Sequence, residues 1–285
     1  MKWVKYALLG VLVCFAAAPD AHASVRNFTY TYEPETMPQG ELEFEQSATL
    51  RAIRNDAVGQ EHYTAWDLRE ELEYGLTDYW QMALYLNEKS EYFRDPATFA
   101  KTNTFEFDGV SLENKWMVLN PAESPVGLSL YVEPRIGNGE FELEEKVIIG
   151  QRFGADQEWK WAANATHATE WKDTDDPAEG TEVEGELEFT AGLIRELTKS
   201  WSLGVELRNH NEIVDDYDHW EHTAFFVGPV LNYKTEKWWF TLTALGQVFG
   251  RNYPKDGEID TDGEPDFVLD EHEYLNVRCI FGIEL

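Results

Sequence analysis

The last twelve residues, YLNVRCIFGIEL (274–285), alternate without a break. Leu275, Val277, Cys279, Phe281, Ile283 and Leu285 form one row, apolar throughout. Asn276, Arg278, Ile280, Gly282 and Glu284 form the other, mostly polar or small. Successive residues of a strand point to opposite faces, so this is a strand with one apolar and one polar side. A lone terminal strand frays. Such regularity requires a neighbour on both edges.

The same period recurs along the chain. In GELEFEQSATLRAI (40–53), Leu42, Phe44, Ala48, Leu50 and Ala52 oppose Glu41, Glu43, Glu45, Ser47, Thr49 and Arg51. In QMALYLNEK (81–89), Met82, Leu84 and Leu86 oppose Gln81, Ala83, Tyr85, Asn87 and Lys89. Twelve segments read this way: 40–54, 61–74, 81–93, 105–118, 126–137, 140–153, 158–170, 183–197, 201–213, 222–234, 238–250 and 271–285. Their length suits a tilted strand crossing a bilayer, which needs about 9–11 residues. The connections alternate too. GLTDYWQ, NPAESP, GADQE, LTKSW and KTEK are short. RDPATFAKTNT, KDTDDPAEGTE, VDDYDHWE and RNYPKDGEIDTDGEPDFVLD are longer and acidic, with GNGE at 137–140 and the loop near 55–60 as shorter members of that set.

Short turns at one end and long loops at the other mark a bacterial outer-membrane barrel. The aromatics agree. Trp80, Trp116, Trp159, Trp161, Trp201, Trp238 and Trp239 flank the short turns, and Trp66, Trp171 and Trp220 lie nearer the long loops. Two aromatic belts are expected at the two interfaces of a protein in lipid. A soluble sandwich would share the alternation but not that sorting. The fold expected is therefore all-β: a single twelve-stranded antiparallel transmembrane β-barrel over residues 24–285, with both termini periplasmic. The last strand would close against the first, because a backbone in lipid must be fully paired.

The first 23 residues read as a signal peptide. Lys2 and Lys5 precede an apolar run from Ala7 to Ala18, and Ala21-His22-Ala23 supplies a cleavage site before Ser24. Cys14 as a lipoprotein anchor is the rival, disfavoured by the bulky Val13 before it. Removal of the leader leaves Cys279 alone, so no intrachain disulfide is expected. The net charge of −31 argues against nucleic acid as a partner.

Four stretches carry a resemblance: MPQGELEFEQSATLR (37–51), EELEYGLTDYWQMALYL (70–86), DGVSLENKWMVL (108–119) and SLYVEPRIG (129–137). They resemble an uncharacterised proteobacterial outer-membrane β-barrel family, and more loosely barrels described as transporters in aromatic-compound degradation. The terminal strand also resembles the signal by which the outer-membrane assembly machinery recognises barrels. That signal usually ends in Phe, and here it ends in Leu285. The resemblance specifies architecture and brings no catalytic residues.

The polar rows would line the lumen. Their charged members are Glu43, Glu45 and Arg51, then Asp67, Arg69 and Glu71, and then Glu113, Lys115, Glu133, Arg135, Glu144, Lys146, Glu206, Arg208 and Arg278. Charges two apart on a strand share a face and can neutralise one another or a neighbour across the ladder. Two readings stay open: a hydrogen-bonded plug, or a narrow water-filled pore favouring cations and positively charged solutes. Glu70 and Glu145 fall on lipid-facing rows. Either a bulge shifts the register there or the positions lie near an interface.

Function follows in three versions. The first is a passive channel or transporter for small solutes, apolar or aromatic ones among them. The second is a closed structural or binding barrel acting through its acidic loops. The third is a lipid-modifying enzyme. His167 and His210 are the candidate bases for the third, but His167 has no Ser within two places in the sequence, His210 falls on the lumen row beside Arg208, and no Gly-x-Ser-x-Gly elbow exists. No cofactor is implied. Glu258, Asp260 and Asp262 mimic the start of a calcium loop that fails at its twelfth position, Leu269. His219 and His222 make a weak metal pair. Bilayer lipid and lipopolysaccharide are the partners expected outside the wall.

Overall fold

The computed structural model describes residues 25–54, 62–95, 97–173, 180–254, 267–269 and 272–285. The expected leader, 1–23, and Glu258, Asp260 and Asp262 lie outside the described residues. Twelve strands occupy the described chain: β1 Leu42–Ala52, β2 Thr64–Thr77, β3 Trp80–Arg94, β4 Lys101–Leu119, β5 Gly127–Gly137, β6 Glu140–Phe153, β7 Trp159–Asp173, β8 Thr181–Glu196, β9 Trp201–Val214, β10 His219–Lys234, β11 Trp238–Asn252 and β12 Leu275–Glu284. Each pairs antiparallel with its chain neighbours, and β12 pairs with β1 to close the barrel. Phe44 faces Ile283 across that seam, and the amide of Leu285 reaches the carbonyl of Leu42 at 2.9 Å. Closure leaves no open edge, which accounts for alternation up to the final strand. Among the described residues no helix is long and apolar enough to cross a membrane.

The period-two pattern places the faces. Leu84, Leu86, Leu112, Leu130, Val147, Leu193, Leu203, Val205 and Leu207 are exposed on the outer surface. Gln81, Tyr85, Glu113, Ser129, Tyr131, Glu133 and Glu206, on the alternate rows, are buried. This inverts the arrangement of a soluble protein and suits a wall whose outside meets lipid. At the short-turn end the outer aromatics contact one another in series, some stacked and some tilted. Trp80 lies 6.2 Å from Trp116, Phe153 lies 6.0 Å from Trp159, and Trp201, Tyr233, Trp238 and Phe281 follow one another at 4.6, 5.2 and 5.9 Å. Trp239 departs from the expected belt. It follows Trp238 directly, so it points inward, where it is fully buried and its indole N–H donates to Glu43 Oε1 at 3.0 Å.

Glu70 and Glu145 remain on the outer rows. The ladders on both sides of each run through them without a register shift, which removes the bulge as an explanation. Glu145 pairs across the ladder with His167, whose Nδ1 lies 3.8 Å from its carboxylate. A bulge does occur in β4, where Asn87 faces Gly109 and Glu88 faces Phe107. Asp108 is the extra residue, and Gly109 takes a φ of +128°, which a side chain would resist.

The segment before β1 does not lie on the wall. Residues 25–41 form no strand, and Asn27, Phe28, Thr29, Tyr30, Thr31, Glu33 and Met37 are buried. The chain enters beside β10 and β11, where Asn232 and Thr241 hold the carbonyl of Arg26. It reaches Glu206 at mid-strand in β9, then returns to the short-turn end, where Thr36 hydroxyl donates to the carbonyl of Asp78. A folded-back strap thus sits inside the barrel.

Candidate functional site

The site is the lumen, and the strap divides it. On the short-turn side lies a cavity of about 650 Å³, bordered by Glu33, Glu35, Lys115, Arg152, Lys160 and Lys234. On the long-loop side lies one of about 280 Å³, bordered by Tyr30, Arg69, Glu144, Lys146, Arg208 and Arg278. Arg26, Tyr32 and Glu71 border both.

The strap is held by backbone groups aimed at a carboxylate. Glu206 accepts the amides of Tyr30 and Thr31 at 2.8 and 2.7 Å and the amide of Thr29 at 3.2 Å. Thr243 donates its hydroxyl to the same carboxylate at 2.8 Å. Three consecutive amides on one anion form a nest, the usual way an irregular backbone meets a buried negative charge. Asn164 holds Tyr32 through both backbone groups, at 2.6 and 2.9 Å. Lys160 clasps Glu33 and Glu35 at 3.1 and 3.0 Å, and Lys115 donates to the carbonyl of Glu35 at 2.6 Å. Burial alone would raise the Glu35 carboxyl. The charge and hydrogen bond of Lys160, a backbone amide and the charge of Lys115 together outweigh it and hold that group below its ordinary value.

The wall makes room for the strap where it has glycine. A Cβ on Gly192 would stand 2.3 Å from the ring of Phe28, and one on Gly127 would stand 2.7 Å from Pro34.

The charged rows are cross-linked rather than bare. Glu45 lies 3.6 Å from Arg26 of the strap. Arg51 bridges Asp67 at 2.8 Å and Glu273 at 3.0 Å. Arg69 binds Glu133, donates to Ser111 at 3.1 Å, and lies 3.5 Å from the ring centre of Tyr85. Glu113 accepts from Gln81 at 2.8 Å and from Tyr85. Arg135 meets Asp108 at 3.2 Å, Glu142 at 2.7 Å, and Glu140. Glu144 pairs with Lys146 at 2.6 Å, and Arg208 with Glu188 at 2.5 Å. Arg278 donates to Thr49 at 2.7 Å and covers the Tyr30 ring at 3.9 Å. Of the pairs two apart on one strand, Glu144–Lys146 joins directly; Arg135 and Arg208 reach across the ladder instead.

Alternation along the wall carries no sign of the strap, with Arg26, Tyr30, Tyr32, Glu33 and Glu35. Gly127, Gly150 and Gly192 lie on inward rows, where they make room for Pro34 and Phe28 of the strap. His167 does not join the lumen. It lies on the outer face, with its Nε2 3.1 Å from the Tyr217 hydroxyl, while His210 is buried inside beside Arg208. The two candidate bases are thus on opposite sides of the wall. His222 meets His210 and His272 rather than its sequence neighbour His219.

The barrel has solved counterparts. The fold is similar to that of the COG4313 outer membrane channel from Pseudomonas putida F1, with a TM-score of 0.62 and 12% identity, over 90% of this chain and 100% of that one. The NanC porin matches with a TM-score of 0.49 and 10% identity, over 86% of this chain and 100% of that one. No curated protein matches the chain. A family model does, along residues 20–285, so that strap and barrel fall within a single unit: the chain belongs to the family of unknown function DUF6662.

Proposed function

We propose that the chain is an outer-membrane channel for small solutes, exported by a cleaved leader and kept narrow by its own strap. The observation that carries this reading is the division of the lumen into two cavities by a segment attached to the wall through hydrogen bonds and ion pairs. Those polar contacts can be exchanged for contacts with water, while Phe28 packs with Ile194 and Val230, and Tyr30 with Phe226 and Leu245, so displacement also exposes apolar surface. Displacement of residues 25–36 would join the cavities into one path. Acidic groups outnumber basic ones around the long-loop cavity, which supports a preference for cations and positively charged polar solutes there. Fold similarity to the Pseudomonas putida channel supports the same reading. Lipid and lipopolysaccharide would surround the wall, and the β12 strand would engage the assembly machinery.

A filled lumen also favours the second reading, a closed barrel acting through its loops. Single-channel recording of refolded protein separates the two. Under the channel reading, wild-type protein gives small or infrequent cation-selective steps, and a variant lacking residues 25–36 gives larger and longer ones. A deletion variant that is folded, by heat-modifiable gel mobility, yet electrically silent would withdraw the channel.

A further inference from the structure

Three histidines from distant parts of the sequence meet at the long-loop mouth. His210 comes from β9, His222 from β10, and His272 from the connection before β12. One ring nitrogen from each lies within 4.8 Å of the other two. Nε2 of His222 and Nε2 of His272 are 2.8 Å apart, and Glu212 Oε2 lies 3.6 Å from the same His222 nitrogen. We propose that His210, His222 and His272, with Glu212, form a binding site for one divalent transition-metal ion, zinc foremost.

Donor chemistry selects the ion. Three imidazoles and a carboxylate are the ligands of zinc and its late first-row neighbours, whereas calcium and magnesium require oxygen. Spacing of the three histidines is compatible, and Glu212, placed beside His222, would swing in as the fourth ligand. Ligands at about 2.0–2.1 Å around a tetrahedral ion stand about 3.3 Å apart, so the His222–His272 contact opens slightly and His210 moves inward. His272 lies outside the strands, where such an adjustment disturbs no ladder.

The surroundings orient the rings. His222 is fully buried, and among the described residues its Nδ1 makes no hydrogen bond, with the Glu221 carboxylate next to it at 3.8 Å. His210 Nδ1 lies 3.6 Å from Glu188 Oε2. Carboxylates behind ligating histidines fix the tautomer that presents the other nitrogen to the metal. Without an ion, Nε2 of His222 and His272 share one proton in a hydrogen bond, and Arg208 Nη2 donates to His210 Nδ1 at 3.3 Å. With one, His210 turns its Nδ1–H toward Glu188. The ion would tie the β11–β12 connection to the wall at β9 and β10. This site does not rest on the channel reading.

The test is calorimetric titration of the full folded barrel in detergent, stripped with EDTA and dialysed, with zinc sulfate as the only ligand. One zinc per barrel is expected. His272→Ala should weaken it at least about tenfold, the loss that even an outer-shell partner brings. His219→Ala, at a neighbouring histidine outside the cluster, should leave it unchanged. His222→Gln is the second variant, and heat-modifiable mobility checks the fold of each. Wild-type protein that binds zinc no better than His272→Ala overturns the site. So does zinc binding that survives both His272→Ala and His222→Gln.

Discussion

The carboxylate of Glu206, on β9, accepts the amides of Tyr30 and Thr31 at 2.8 and 2.7 Å. A wall charge therefore binds the backbone of the strap. Hydrogen bonds to a charged group contribute about 1.5–3 kcal/mol each. Glu206→Gln keeps the shape and can still accept, but loses the charge. It should raise opening of the strap by about tenfold, the equivalent of about 1.4 kcal/mol. Hydrogen exchange at the amides of Tyr30 and Thr31 reports this directly. Exchange unchanged from wild type would mean that the other anchors hold the strap by themselves.

Gly192 supplies the seat of Phe28. A Cβ there would stand 2.3 Å from the ring, far inside contact distance. Gly192→Ala should displace Phe28 while leaving the β8–β9 ladder intact. The cost should be about 1–3 kcal/mol, the usual range for overpacking, and it should fall on the strap rather than on the barrel. Protease cleavage within the strap should speed up while the heat-modified transition moves little. An equal shift of both would place Phe28 among the supports of the wall itself.

Acid should loosen the short-turn clasp. The folded-state Glu35 carboxyl lies below its ordinary value: burial raises it, and Lys160, with a backbone amide and Lys115, more than offsets that. A carboxyl depressed in the folded state stabilises in full above its unfolded value. That contribution fades as pH falls through the folded value. Opening of the strap should thus increase as the medium is acidified below about pH 4.5, and Glu35→Gln should remove that component at every pH. The readout is hydrogen exchange at the amides of Glu33, Glu35 and Thr36 against pH, compared between wild type and Glu35→Gln. Identical pH profiles for the two proteins would dissociate Glu35 from the clasp.

Alternation made the barrel legible because each strand carries its own signal. The β6 range, 140–153, is the same in sequence and structure, and β9 and β11 differ only at their long-loop ends. Ends that meet acidic loops have less apolar contrast, so β4 begins earlier and β10 earlier than periodicity indicated. Trp239 shows a finer limit. Adjacent tryptophans both suit an interface, but period two sends one of them inward, to Glu43. The strap was not legible because nothing local requires it. Its conformation is set by Glu206, Asn164 and Lys160, which lie 125 or more residues from the strap residues they hold. The histidine cluster escaped for the same reason. His210 and His222 are neighbours only through the β9–β10 hairpin, and His272 joins them only once the barrel closes.

Arg135 shows how one cation organises the long-loop end. It faces three carboxylates, Asp108, Glu140 and Glu142, with its side chain 17% exposed. Asp108 reaches it because the β4 bulge makes it an extra residue, and its carbonyl also accepts from Arg135 Nη1 at 3.3 Å. Arg135→Met would leave three acids near one another, with Lys172, the ladder partner of Glu140, as the nearby cation. Removing one partner of a buried pair costs about 3–5 kcal/mol, and an exposed pair contributes about 1 kcal/mol or less. This half-wet position should fall between, at about 1–3 kcal/mol. Arg135→Lys should recover only part, since an ammonium cannot serve three directions as a planar guanidinium does. Urea midpoints of refolded barrels in detergent measure both. Repulsion among the remaining acids should make the Arg135→Met defect shrink as pH is lowered, whereas a packing defect would keep its size. A defect independent of pH would therefore assign Arg135 to packing rather than to charge balance.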